Sequence, residues 1–232
     1  VEPPQAPPRG VEREFTVRER KQWQLILGRF LRHRIAVASL GVFILVVLAA
    51  FLGAKLWKYS YTDISSPGSH PPSLNNPFGT DTIGHDLLAQ VLRGAQQSIK
   101  VALLVMVLST GIGAPYGAVA GFLGGRVDTV MMRLADVILT LPLIAIAGAL
   151  SVGRGGTVLI VGLILGGLGW VVNARVVRGV VLSLREQEFI EAARALGAST
   201  VRIVFRHLLP NATGAIIVQA TLDIAFAILT EA

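Results

Sequence analysis

Cysteine is absent from the 232 residues, so neither a disulfide framework nor thiolate metal ligation is open to this chain. Charge is scarce as well. Asp, Glu, Lys and Arg make up 15% of the sequence, where a soluble domain carries roughly a quarter. With a mean hydropathy of +0.64, the composition points to lipid as the surrounding solvent. No G-x-x-x-x-G-K-[ST] phosphate loop occurs, so the chain is not expected to bind ATP by a P-loop of its own. The four histidines form no helical HxxxH or HExxH pair. His70, Asp81, His85 and Asp86 lie close in sequence, yet turn and capping roles suit them better than a metal site, and none is expected.

What fills the sequence is long uncharged runs. Residues 35–54, 101–125, 137–153 and 155–174 are free of charge, and a fifth run, 208–230, is interrupted only by Asp223. Each matches the roughly 17 to 25 residues that cross about 30 Å of hydrocarbon as a helix. Strands of a membrane barrel would alternate apolar and polar residues; these runs do not, so an all-α polytopic bundle is expected. Pro115 and Pro142 are expected to kink their spans, and the Gly- and Ala-rich GIGAPYGAVAGFLGG to permit close helix approach.

Lys and Arg exceed Asp and Glu by seven, and position explains the excess. Eight basic residues lie in 1–34, Arg126 and Arg133 follow, and six lie between 175 and 206, while only Lys55, Lys58, Arg93, Lys100 and Arg154 occupy the alternate connections. The positive-inside rule places the N-terminus and the 175–206 segment in the cytoplasm. A nucleic-acid partner is not needed to account for the charge.

The chain is expected to divide into a cytoplasmic tail with an amphipathic interfacial helix (1–34), a first span (35–57), an external loop and short helix (58–98) and a core (99–232). Residues 1–14, with four prolines, read as a mobile tail. Over 15–34 the apolar residues Trp23, Ile26, Leu27, Phe30 and Leu31 recur with helical spacing; a helix along the headgroups and a plain extension of the first span fit equally. The first apolar run is too long for a signal peptide and reads as an uncleaved span. Five spans are discernible, and a sixth is expected beyond residue 232.

One segment resists burial. Between 174 and 210 stand six Arg and three Glu, each costing about 2.5 to 3.5 kcal/mol at mid-membrane. Yet Phe189, Ala192, Ala193 and Leu196 share a helical face, Gly197 stands where a helix ends in the left-handed region, and Ser199 is placed to cap a second helix with the stripe Val201, Val204, Phe205, Leu208. Pro210 ends that helix or begins the next span. A helix, a glycine elbow and another helix are therefore expected over 185–210. The second stripe is expected to cover the bundle, the first limb and elbow to face a protein partner.

EAARALG followed by LLP (Glu191, Ala192, Ala193, Gly197, Leu209, Pro210) resembles the EAA motif, E-A-A-x3-G-x9-I-x-L-P, of the permease subunits of bacterial ATP-binding-cassette importers. His207 stands where that pattern has Ile. RHLLPN, and GTDTIGHD over 79–86 with His85 in place of Arg, resemble the peptide/nickel branch, closest to the second permease of dipeptide and oligopeptide importers. The similarity covers about residues 75–232. It implies a type I importer bundle, a heterodimer with a sister permease, two ATPase subunits holding ATP and Mg, an external substrate-binding protein and a bacterial inner-membrane location. It also implies that Glu188, Glu191, Ala192, Ala193, Arg194, Gly197, Ala198 and Pro210 belong to a helix seated on the ATPase, with no cofactor in this chain. Peptides are the implied substrate; nickel chelates and glutathione use similar permeases. A membrane scaffold and an intramembrane enzyme are the competing classes, and the four uncharged runs hold no histidine or catalytic dyad for the latter.

Several side chains keep two readings. Glu191 either accepts a hydrogen bond from the ATPase or pairs with Arg194 on its own helix. Asp223, the lone charge of its run, either lines the pathway or packs with Gln219 four residues earlier. Trp170 and Asn173 are interfacial or pathway residues.

Overall fold

The computed structural model describes residues 30–154 and 157–231. The tail over 1–14 and the amphipathic pattern up to residue 29 lie outside them. The chain divides into two units at Val46 and Val47. The first contributes most of helix α1, Arg34–Leu56, whose Ile35, Val42 and Leu45 are exposed. A π turn, Ala49–Gly53, interrupts α1 near its end.

Within the second unit, α2 runs over Leu87–Leu123. Asp86 starts it by accepting the Ala89 N–H at 3.0 Å, which satisfies one of the orphan donors of the first turn. The helix passes through Pro115 unbroken and ends at Gly124, where φ is +64°, a backbone conformation that glycine adopts without a Cβ clash. The short helix expected after residue 86 and the second span are thus one rod.

The run at 137–153 does not form one span. It is shared between α3, Gly125–Leu139, and α4, Leu143–Arg154, with a break at Thr140, Leu141 and Pro142. Pro142 has no N–H to donate and drives the residue before it out of the α region. The 12 residues of α4 reach only about 18 Å at 1.5 Å per residue. Helices α5, Val158–Leu184, α6, Glu188–Ala195, and α7, Thr200–Glu231, follow. Among the described residues α1, α2, α5 and α7 are long and apolar enough to cross a membrane, and two isolated bridges are the only extended pairing.

Packing of α2 on α5 organises this unit. A Cβ on Gly113 would lie 2.4 Å from the Trp170 carbonyl oxygen, one on Gly117 2.1 Å from that of Ala174, and one on Gly121 3.0 Å from that of Arg178. Further along, α5 returns the arrangement: a Cβ on Gly162 would meet Leu104 at 2.5 Å and one on Gly166 would meet Leu108 at 2.8 Å. Positions rise together on both helices, so they run parallel, joined by the broken α3–α4 crossing. Helix α7 packs on α2 in the opposite sense. Ala227 sits against Val101, Ala102 and Val105, and Ser98 Oγ donates to Glu231 Oε2 at 2.6 Å.

Because the atom facing Gly117 belongs to backbone, Gly117→Val leaves no rotamer escape. Overpacking of this kind costs about 1–3 kcal/mol. The expected outcome is a lower unfolding midpoint in detergent than for Gly148→Val, since nothing lies within 4 Å of the Gly148 position; equal midpoints would contradict the packing.

Candidate functional site

The α6 elbow is built by backbone rules. At the end of α6, Gly197 N–H donates to the Arg194 carbonyl at 2.9 Å and Ala198 N–H to that of Ala193 at 3.0 Å, a Schellman closure with Gly197 at φ +75°. Ser199 Oγ then accepts the Arg202 N–H at 3.4 Å and opens α7. The elbow rests on the ends of α2 and α5. Ile190, Ala193, Ile203, Val204 and Leu208 are buried with Phe122, Val177 and Val181, the Arg194 guanidinium lies 4.9 Å from the centre of the Phe122 ring, and Arg185 Nη1 donates to the Gly121 carbonyl at 3.2 Å.

The buried faces differ from those expected. On α6 the inward residues are Ile190 and Ala193, while Phe189, Ala192 and Leu196 face outward. On α7 Val204 and Leu208 are inward but Val201 and Phe205 are exposed, and Ile203 replaces them. An eight-residue helix offers two overlapping apolar arcs, and contact with Phe122 selects one. Glu188 and Glu191 are exposed and form no ion pair among the described residues. The Glu191–Arg194 pair is not made, because Arg194 is drawn over the aromatic ring. Leu196 is 88% exposed, so the elbow presents a bare leucine, and the exposed Glu188 and Glu191 lie earlier on the same helix. Pro210 does not end a helix: a π turn, Val204–Leu208, precedes it, and Asn211 Nδ2 donates to the His207 carbonyl at 2.6 Å.

The charged insert is also shorter than its composition suggests. Arg175 and Arg178 belong to α5 and pair with α3: Arg178 donates through Nε and Nη2 to both oxygens of Asp128, and Arg175 Nη2 to Asp136. The bidentate guanidinium holds the Asp128 carboxyl below its usual range. Two pairs between residues 39 and 50 apart fasten the broken crossing to α5, and no local sequence signal marks them.

Asp223 and Gln219 are brought together, and Asn173 joins them. Asn173 Nδ2 donates to Asp223 Oδ2 at 2.6 Å and Gln219 Nε2 to Oδ1 at 3.2 Å. The carboxyl thus packs with Gln219, and it also lines a cavity of about 290 Å³ with Ser109, Leu139, Leu141, Leu165 and Phe226. Trp170 and Asn173 lie inside a continuous helix. Helix α5 continues to Leu184, both residues are buried, and Trp170 packs on Tyr116 with ring centres 4.6 Å apart.

The loop between α1 and α2 is folded around two carboxylates. Asp86 accepts from Trp57 Nε1 at 2.6 Å and Asn76 Nδ2 at 2.9 Å besides capping α2. Asp81 accepts the backbone N–H groups of Ile83, Gly84 and His85 at 2.8–2.9 Å, along with His85 Nδ1 and Gln90 Nε2. No group of three potential metal-binding side chains occurs among the described residues. The His85 N–H bond, with the other donors, depresses the Asp81 carboxyl far below the usual range. A depressed folded value means that the stabilisation is complete above the ordinary carboxylate pKa of about 3.9 and is lost only as pH falls through the lower folded value. Amide exchange at Ile83–His85 is expected to stay slow down to about pH 4 in the wild type. In Asp81→Asn it is expected to be fast already at neutral pH.

Four helices long and apolar enough to cross a membrane, among the described residues, define a multi-pass helical membrane protein. Residues 113–232 match the family described as binding-protein-dependent transport system inner membrane component, and residues 21–76 match the N-terminal transmembrane domain of oligopeptide transport permease C. The chain belongs to this binding-protein-dependent permease family. It is 42% identical over 211 residues to the oligopeptide transport system permease protein OppC of Mycobacterium tuberculosis, covering 89% of this chain and 72% of that protein. OppC of Escherichia coli is 38% identical over 221 residues, covering 94% and 73%. The dipeptide transport system permease protein DppC of Bacillus subtilis is 38% identical over 206 residues, covering 88% and 64%.

Proposed function

We propose that the chain is the permease subunit of an ATP-driven importer of short peptides in a bacterial inner membrane. It acts beside a sister permease, above two ATPase subunits that hold ATP and Mg, and receives substrate from an external binding protein. The observation that carries this reading is the α6 elbow, stiff in backbone and anchored on its inner face, yet exposing Glu188, Glu191, Ala192 and Leu196 outward. Names of the similar proteins favour peptides over nickel chelates or glutathione. The basic residues near 34 and at 175–206 favour a cytoplasmic N-terminus and elbow.

In this reading the ATPase pushes on the elbow and α7 carries the displacement into the membrane. Reversing a gate from 1:99 to 99:1 takes about 5.5 kcal/mol of differential binding, which a loose loop would dissipate. Small Ala192 permits close approach, while the exposed Glu188, Glu191 and Leu196 supply charge and apolar contact for the partner surface. Arg194 and Ala193 hold the helix to the bundle, Gly197 and Ala198 close it, and Pro210 lies beyond the π turn through which the elbow enters α7.

Gly197→Val tests this reading. Nothing lies within 4 Å of a Cβ at that position, so the substitution acts through the positive φ, at about 1–2 kcal/mol. Membrane insertion is expected to equal wild type, while ATP-dependent peptide uptake in proteoliposomes with all partner subunits falls at least tenfold. Full uptake by the variant would remove the elbow from the mechanism.

A further inference from the structure

The cavity beside Asp223 has a chemical character of its own. Its walls are aliphatic and aromatic apart from Ser109 and Asp223, and no Lys or Arg among the described residues lines it. At about 290 Å³ it lies at the small end of ligand sites, which run from about 300 to 1,000 Å³. Asp223 has no ion-pair partner among the described residues. Its oxygens are instead held by amide hydrogens of Asn173 and Gln219, which fix the carboxyl without neutralising a negative charge. Asn173 Oδ1 is buried and accepts no hydrogen bond, leaving an unused acceptor on the residue that grips Asp223.

The break in the third crossing opens onto the same space. Ile138 and Leu139, from the last turn of α3, line the cavity together with Leu141 of the break. The end of a helix carries about half a negative charge on its terminal carbonyls, and interrupted helices at mid-membrane use such ends to hold cations. A carboxyl and a helix C-terminus therefore share one apolar, partly enclosed site, and both attract donors or positive charge.

We propose that this cavity receives the ammonium group of a substrate in transit, with Asp223 as its counter-charge and Asn173 and Gln219 as positioning residues. An ammonium brings one positive charge and three donors, which complements a wall of acceptors. The proposal rests on the peptide-importer reading for the source of the ammonium, a peptide's free amino terminus, whereas the cation preference of the cavity does not depend on it.

Two measurements on the assembled transporter separate these claims. The chain has no cysteine, so Leu168→Cys places one thiol of this chain on the cavity wall. Labelling of that thiol, read by mass on this chain and normalised to a free thiol in solution, compares aminoethyl with sulfonatoethyl methanethiosulfonate. The cationic reagent is expected to react at least tenfold faster, the preference to vanish in Leu168→Cys/Asp223→Asn, and Asp223→Glu to restore it. No preference, a preference unchanged by Asp223→Asn, or no labelling by either reagent would overturn the proposal. In proteoliposomes, Asp223→Asn is expected to lower uptake of a free-amino tripeptide about tenfold relative to uptake of its N-acetylated form. An unchanged ratio of the two uptakes would overturn the ammonium assignment, while absence of any peptide uptake by wild type would sink the importer reading and leave the labelling result standing.

Discussion

Helix association in lipid has no hydrophobic drive behind it, since a leucine is as well solvated by acyl chains as by another leucine. Adhesion must come from close packing, and here it comes from glycine laid against backbone. Gly113, Gly117 and Gly121 recur every fourth residue on α2, and each faces a carbonyl of α5. That approach fixes the rotation of both helices. Once rotation is fixed, Asn173 points toward α7 and Asp223, Arg178 reaches Asp128, and the ends of α2 and α5 form the floor on which α6 lies.

The broken crossing follows from the same pairing. Parallel α2 and α5 need a return segment between them, and α3 and α4 supply it with an interruption before Pro142. Arg175 and Arg178 tie α3 to α5 below the break. Charges that composition alone would exclude from a span are thereby accommodated near a helix end, each with a carboxylate partner.

Helix α7 joins the two candidate sites mechanically. It leaves the elbow at Thr200 and reaches Asp223 without a loop, a distance of about 35 Å at 1.5 Å per residue. A rod of this length moves its far end whenever its base is displaced. The π turn, Val204–Leu208, lies between base and shaft, where an extra residue per turn alters the direction of the axis.

Much of this was legible in one dimension. Uncharged runs, the Asp86 cap, the turn built on Asp81 and the elbow at Gly197 depend on interactions within a few residues, so composition and spacing reveal them. The third run was misread as a span because hydropathy does not register a missing N–H. The inner face of α6 was misassigned because a short helix with apolar residues on most sides has no single periodic answer. Trp170 and Asn173 kept two readings, interfacial or pathway, because the basic residues after them hide how far the helix runs. Partners 39 and 50 positions away hold those basic residues on a helix that continues to Leu184.

The sequence by itself determined that the chain lives in lipid as helices and which segment stays outside. These follow from transfer free energies and backbone stereochemistry, and both are local. Tertiary structure alone decided which glycines meet which carbonyls, which arginines are neutralised, and that Asn173 and Gln219 converge on Asp223 at the wall of a cavity. Such contacts depend on the rotation of one apolar helix against another, and in a medium that wets every face equally, only the shape of the partner sets that angle.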